Sequence, residues 1–178
     1  GSVDETFAVL GPDGVVVKRR GNIGAPVEPS LTTRVVEIND LAGLERALEP
    51  GDVAAVLFEP ALTNIGIVLP EPGYHEGVRE LCSRYGTLLV IDETHTICAG
   101  PGGCTKAWGL DPDIVTIGKT LGAGIPSAAF GMSADVAQRI VDLTDWRNSD
   151  VGGTGGTLAG NALSLAAMRA TLGGVLTD

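Results

Sequence analysis

Three short apolar runs in this 178-residue chain are each followed by a charged residue. The runs are 54–58, 88–91 and 114–117, and the charged residues that follow them are Glu59, Asp92 and, after one glycine, Lys119. Continuous apolar runs of this length are typical of strands buried on both faces of a parallel sheet. Because ligands in such sheets bind beyond the carboxyl ends of the strands, we expect the three charges to lie at one edge.

A lysine held near a carboxylate indicates one kind of covalent chemistry. The amine condenses with an aldehyde to a Schiff base, and a carboxylate beside a pyridine nitrogen keeps that nitrogen protonated. Pyridoxal phosphate (PLP) needs both groups and an anion site for its phosphate. Residues 151–161, VGGTGGTLAGN, offer glycines and hydroxyls for that site. The alternative is that strands simply end where polarity begins; three such strands in one domain favour a site.

The segments around these strands have helical periodicity. Apolar residues recur at helical spacing in 40–48, 74–85, 133–141 and 160–172. Alternating strands and helices predict an α/β fold, a mainly parallel sheet flanked by helices, in a single domain over 1–178. The Gly- and Pro-rich tracts 11–33 and 97–112 are predicted to be irregular.

Composition narrows the class of protein. Hydrophobic residues make up 44% and charged residues 19%, which is typical of a globular chain, and the net charge is −10. That charge disfavours a nucleic-acid or anionic-membrane surface, because both require clustered Lys and Arg. No apolar run approaches the roughly 20 residues of a membrane span. Three sparse cysteines and no evident signal peptide lead us to expect a cytoplasmic protein.

Several motifs, in order, resemble one family. They are LLVIDETHT, the glycine-rich loop 99–103, GLDPDIVTIGKTLGAGIPSAAFG, GGTLAGNAL and FEPALTNIGIVLPEPGYHEGVREL. This set is similar to the large-domain core of class III, fold-type I PLP-dependent aminotransferases, above all the glutamate-1-semialdehyde aminomutase group. The resemblance implies transfer of an amino group, between a small amino donor and an oxo acceptor or within one molecule.

The resemblance also implies roles for particular residues. Lys119 would form the Schiff base and move the proton, and Asp92 would pair with the pyridinium nitrogen. Cofactor-binding positions are Lys119, Asp92, Thr94 on the ring face, His95 near the ring hydroxyl and Thr157, whose match reaches the phosphate of a partner subunit. Glu59 and Asn64 match residues that shape the site. Thr157 thereby implies a homodimer of the full-length protein.

Departures from the family leave alternatives open. Asp-Glu-Thr-His replaces the commoner Asp-Glu-Val-X, and family members are considerably longer. The chain is therefore expected to be a central part of a large domain, and the alternatives are a catalytically incomplete fragment, a structural remnant or an amino-acid racemase. A phosphate-binding P-loop is disfavoured, since Asp113 stands where its first glycine is required. His95, Cys98 and Cys104 lack an obvious fourth ligand, so no metal site is expected.

Overall fold

The structure, a computed structural model, describes residues 8–18, 29–143 and 158–177. The strands are β1 (Ala8–Leu10), β2 (Val16–Lys18), β3 (Ala55–Phe58), β4 (Leu88–Asp92), β5 (Ile114–Ile117) and β6 (Ala129–Met132). The helices are α1 (Leu41–Leu48), α2 (Tyr74–Tyr85), α3 (Gly103–Ala107), α4 (Ala134–Leu143) and α5 (Ala162–Gly174). Short 3₁₀ turns cover Pro29–Leu31, Thr96–Ala99 and Lys119–Gly122.

The main sheet has four strands in the order β3-β4-β5-β6. β3, β4 and β5 are parallel, and β6 is antiparallel to β5. The three apolar runs are thus strands, and the prediction of a mainly parallel sheet flanked by helices is confirmed. The sequence reasoning missed β6 and the hairpin of β1 and β2, because short strands with small or exposed residues carry no strong period.

Two helices cover one face of the sheet. α1 begins after Asp40, whose Oδ1 accepts a hydrogen bond of 2.8 Å from the backbone of Gly43. α2 ends at Gly86, which adopts the left-handed conformation that closes helices. The core between them and β4 consists of buried aliphatic side chains and one thiol: Leu44, Leu48, Val78, Leu81, Cys82, Leu89 and Ile91. Aromatic residues make up only 4% of the chain, which fits this aliphatic core.

The two faces of β4 have different surroundings. Successive side chains alternate between faces, so Val90 and Asp92 lie opposite the core that holds Leu89 and Ile91. The cross-strand partners on the Asp92 face include Leu57 and Phe130, which are 58% and 47% exposed. The sheet therefore presents partly uncovered apolar surface on the side that carries the Asp92 carboxylate.

The tract 97–112 is more ordered than expected. The sequence predicts a loop, but the tract contains part of the 3₁₀ turn Thr96–Ala99 and the whole of α3. Weak local helix propensity is overridden here by hydrogen bonds to a buried carboxylate, described below. Across the described ranges, no helix has both the length and the apolar character to cross a bilayer.

Candidate functional site

The parallel register brings three charged residues to one edge of the sheet. Ile91 of β4 lies opposite Phe58 of β3, and Asp92 lies opposite Thr116 of β5. Glu59 directly follows β3, and Lys119 lies two residues after the end of β5. Glu59, Asp92 and Lys119 are therefore at the carboxyl edge, where parallel α/β sheets place their ligands.

Thr94 connects the Asp92 turn to the backbone before Lys119. The Thr94 amide donates a 2.8 Å hydrogen bond to Asp92 Oδ1, which fixes one carboxylate oxygen. A methyl group built on Gly118 would lie 3.5 Å from Thr94 Cγ2, so this side chain packs against the segment that carries Lys119. Within the described part of the chain, Asp92 Oδ2 has no hydrogen-bond partner.

Lys119 combines a free amine with a strained backbone. Its side chain is exposed and makes no ion pair or hydrogen bond among the described residues. Its φ is +46°, in the left-handed region that disfavours residues with a Cβ. Strain of this kind collects at functional sites, where the surrounding structure enforces it.

Thr63 joins Glu59 to His95, and Asn64 contacts Glu59 directly. Thr63 Oγ1 donates a 2.6 Å hydrogen bond to Glu59 Oε2 and is also hydrogen-bonded to His95 Nδ1. Asn64 Nδ2 donates to Glu59 Oε1 at 3.4 Å. Paired backbone bonds between Leu62 and Val68, each 3.0 Å, close residues 62–68 into a loop. Sequence reasoning missed Thr63, since a single threonine in an irregular segment carries no signal.

Glu93, adjacent to Asp92, is a buried carboxylate that organises the following loop. It is 1% exposed and accepts hydrogen bonds from the Thr96 hydroxyl, the Thr105 amide and, at 3.2 Å, the Cys104 amide. Gly103 has φ +62°, and a Cβ there would lie 2.6 Å from Glu93 Oε2, so this contact requires glycine. The Asp-Glu pair thus divides its functions: Glu93 holds the loop, and Asp92 remains available.

The candidate anion site lies mostly outside the described residues. Thr157 and residues 151–156 are outside the described residues, so their role in binding the phosphate stays a prediction. Residues 158–161 lead into α5, which Asn161 caps and which packs on the Lys119–Gly122 turn. Ser164 Oγ donates to the Pro126 carbonyl at 2.9 Å. The helix that follows the glycine-rich tract therefore lies beside the segment that begins with Lys119.

A cavity lies on the opposite face of the sheet from Asp92. It has a volume of about 300 Å³ and is bordered by α2 and residues 108–111 on the core side of β4. Its lining includes Phe58, His75 and Trp108 and none of the predicted site residues. Among the described residues, no group of His, Cys, Asp and Glu could hold a metal ion.

Replacing Lys119 should change stability in a direction set by its backbone. We expect Lys119→Gly to be more stable than Lys119→Ala by about 1 kcal/mol, because glycine removes the left-handed strain. Urea unfolding followed by circular dichroism measures the difference. Lys106, in α3, is the matched control, and there glycine should be less stable than alanine by about 0.5–1 kcal/mol. Equal signs at both positions would contradict the strain at Lys119.

Neutralising Glu93 should loosen the loop. Glu93→Gln replaces an acceptor-only carboxylate with an amide, so we expect a loss of about 2–3 kcal/mol in the free energy of unfolding. Hydrogen exchange at the Thr105 amide should accelerate. Glu80→Gln, in an exposed pair with Arg84, is the control and should cost less than about 1 kcal/mol. A similar small loss at both positions would refute the organising role of Glu93.

The chain is similar to proteins that are named as aminomutases or aminotransferases. It is 36% identical over 97% of its length to a glutamate-1-semialdehyde 2,1-aminomutase from Nitrosospira multiformis. It is 49% identical, with a TM-score of 0.92, to a solved variant of a glutamate-1-semialdehyde-aminomutase from Pseudomonas aeruginosa PAO1 in complex with PMP. That match covers all of this chain. A β-phenylalanine aminotransferase from Variovorax paradoxus is 30% identical over 89% of this chain, with a TM-score of 0.72.

These matches cover most of this chain but less than half of each relative. The chain spans only 40% of the length of the Nitrosospira and Pseudomonas proteins and 35% of the Variovorax protein. A family model described as "Aminotransferase class-III" matches residues 20–178, which is most of the chain. The sheet order, the strand-end residues and this match agree. The chain therefore belongs to the class-III aminotransferase family.

Proposed function

We propose that this chain is part of a PLP-dependent enzyme that transfers an amino group on a small molecule, as an aminotransferase or an aminomutase. The observation that carries the proposal is a pair of groups at one sheet edge, one Asp92 carboxylate oxygen and the Lys119 amine, that have no partner among the described residues. Family membership and the names of the relatives support it. The aminomutase reaction is the first candidate, since glutamate-1-semialdehyde aminomutases are prominent among these relatives.

The residues present fit PLP on chemical grounds. An amine and a carboxylate oxygen without partners in the described part of the chain match an aldehyde and a pyridine nitrogen. Two hydroxyls near Lys119, those of Thr120 and Ser127, are buried and lack hydrogen-bond partners among the described residues. Buried polar groups are ordinarily satisfied, so a bound polar group or water in this region fits them.

The proposed roles follow from the chemistry of each side chain. Lys119 Nζ would bind the aldehyde carbon and, when freed, carry a proton on that nitrogen. Asp92 would hold a proton on the pyridine nitrogen, and Thr94 would pack on the ring face. When bound, PLP supplies an electron-accepting ring that stabilises negative charge beside the amino nitrogen. Glu59, Asn64 and His95 would border the ring hydroxyl.

The remaining proposals concern the whole protein. The partly exposed Leu57 and Phe130 and the 40% coverage of relatives support a chain that forms one part of a larger cofactor-binding domain. Thr157 toward the phosphate of a partner subunit, and hence a homodimer, stays a prediction. All three cysteines are free, which supports a reducing compartment such as the cytoplasm.

Reductive labelling tests the proposed function directly. The protein is incubated with PLP, reduced with borohydride and digested, and the modified lysine is identified by mass spectrometry. We expect the modification at Lys119 rather than at Lys18 or Lys106, the other two lysines. Lys119→Ala should abolish it, and Lys106→Ala, which removes another exposed amine, should leave it unchanged.

The pattern of labelled lysines distinguishes the alternatives. Even labelling of all three lysines would show only the general reactivity of PLP with amines. No labelling of a folded protein would favour the incomplete fragment or structural remnant. Either result would overturn the proposal for this chain.

A further inference from the structure

A hydrogen-bonded series of three side chains runs from the end of β3 to His95. Thr63 Oγ1 donates to Glu59 Oε2, and the same oxygen is hydrogen-bonded to His95 Nδ1. A hydroxyl has one hydrogen, so the proton given to the Glu59 carboxylate cannot also be given to His95. The Thr63–His95 bond must therefore use a proton on Nδ1, with the Thr63 oxygen as the acceptor.

We infer that Glu59 and Thr63 hold the His95 imidazole as its Nδ1–H tautomer, so that Nε2 presents a lone pair able to accept a hydrogen bond from a ligand hydroxyl. The proton position in a neutral imidazole is set by what the other ring nitrogen contacts. Glu59 and Thr63 are positioning residues, since they act through His95. That the site holds PLP rests on the proposed function; the tautomer itself does not.

The surroundings of His95 Nε2 agree with this role. Within the described residues Nε2 has no hydrogen-bond partner, whereas Nδ1 is engaged. His95 follows Asp92 by three positions at the end of β4, and it begins the 3₁₀ turn Thr96–Ala99 that Glu93 anchors. At the sheet edge that carries Asp92, the bond from Thr63 therefore holds the ring of His95, and Glu93 holds the backbone turn that follows it.

The other histidine of the chain has the opposite arrangement. His75 Nε2 lies 3.0 Å from the carbonyl oxygen of Pro60, which can only accept, so the proton of neutral His75 is on Nε2. Burial lowers the pKa of His75, and the bond to Pro60 opposes this only in part. The chain has two histidines in all, and they are expected to differ in tautomer. His75 is thus an internal reference for His95.

Long-range proton–nitrogen correlation NMR on ¹⁵N-histidine protein tests the inference without cofactor. At a pH where free imidazole is neutral, His95 should show a pyrrole-type Nδ1 and a pyridine-type Nε2, and His75 the reverse. His75→Gln assigns the two rings. Thr63→Val, nearly isosteric, should shift the His95 nitrogens toward the Nε2–H pattern, and Thr63→Ser, which keeps the hydroxyl, should retain the wild-type pattern.

Two NMR results would overturn the inferred tautomer of His95. A pyrrole-type Nε2 at His95 in the wild type would overturn the inference, and this reading stands even if Thr63→Val fails to fold. An unchanged His95 pattern in folded Thr63→Val would also overturn it, because Thr63 would then not set the tautomer.

Adding PLP tests whether His95 Nε2 lies beside the bound cofactor. In protein whose Lys119 is shown by mass to be modified, the His95 Nε2 resonance should move and the His75 resonances should not. A stationary His95 Nε2 in that sample would overturn the placement of His95 beside bound PLP. If PLP modifies no particular lysine while the tautomers are as expected, the proposed function fails and the positioning of His95 by Thr63 survives.

Discussion

Parallel pairing of β3, β4 and β5 is the constraint on which the candidate site depends. Parallel strands all end at one edge, so residues widely separated in sequence, such as Glu59 and Lys119, are brought together without a local motif. An antiparallel or register-shifted β4 would send Asp92 to the other edge or the other face. The aliphatic core under α1 and α2 enforces the register, because Leu89 and Ile91 must face it.

The site also depends on the different surroundings of two neighbouring carboxylates, Asp92 and Glu93. Asp92 and Glu93 are chemically alike, yet the structure treats them differently: Glu93 is buried and satisfied by three donors, and Asp92 retains an oxygen without a partner in the described part of the chain. The buried carboxylate holds the loop that follows, and the loop in turn fixes the turn at His95. The site thus combines a rigid support with groups left available for a ligand.

Much of this could be predicted from the sequence, for identifiable reasons. Continuous apolar runs and helical periodicity depend on burial, so β3, β4, β5 and α2 were found with nearly correct bounds. The roles of Thr63 and Gly103 could not be found, because both depend on contacts between residues far apart in the chain. The order in 97–112 was missed for the same reason: glycines suggested a loop, and the tertiary bonds to Glu93 decided otherwise.

The central claim is that Asp92 keeps a pyridine nitrogen protonated while Lys119 binds the aldehyde of the same ring. The most direct measurement is the ¹⁵N resonance of PLP labelled at its ring nitrogen, bound to the protein. The account predicts a protonated nitrogen in the wild type and in Asp111→Asn, a control acid at the cavity on the opposite face of the sheet, and an unprotonated nitrogen in Asp92→Asn. The same resonance in the wild type and in Asp92→Asn would contradict it.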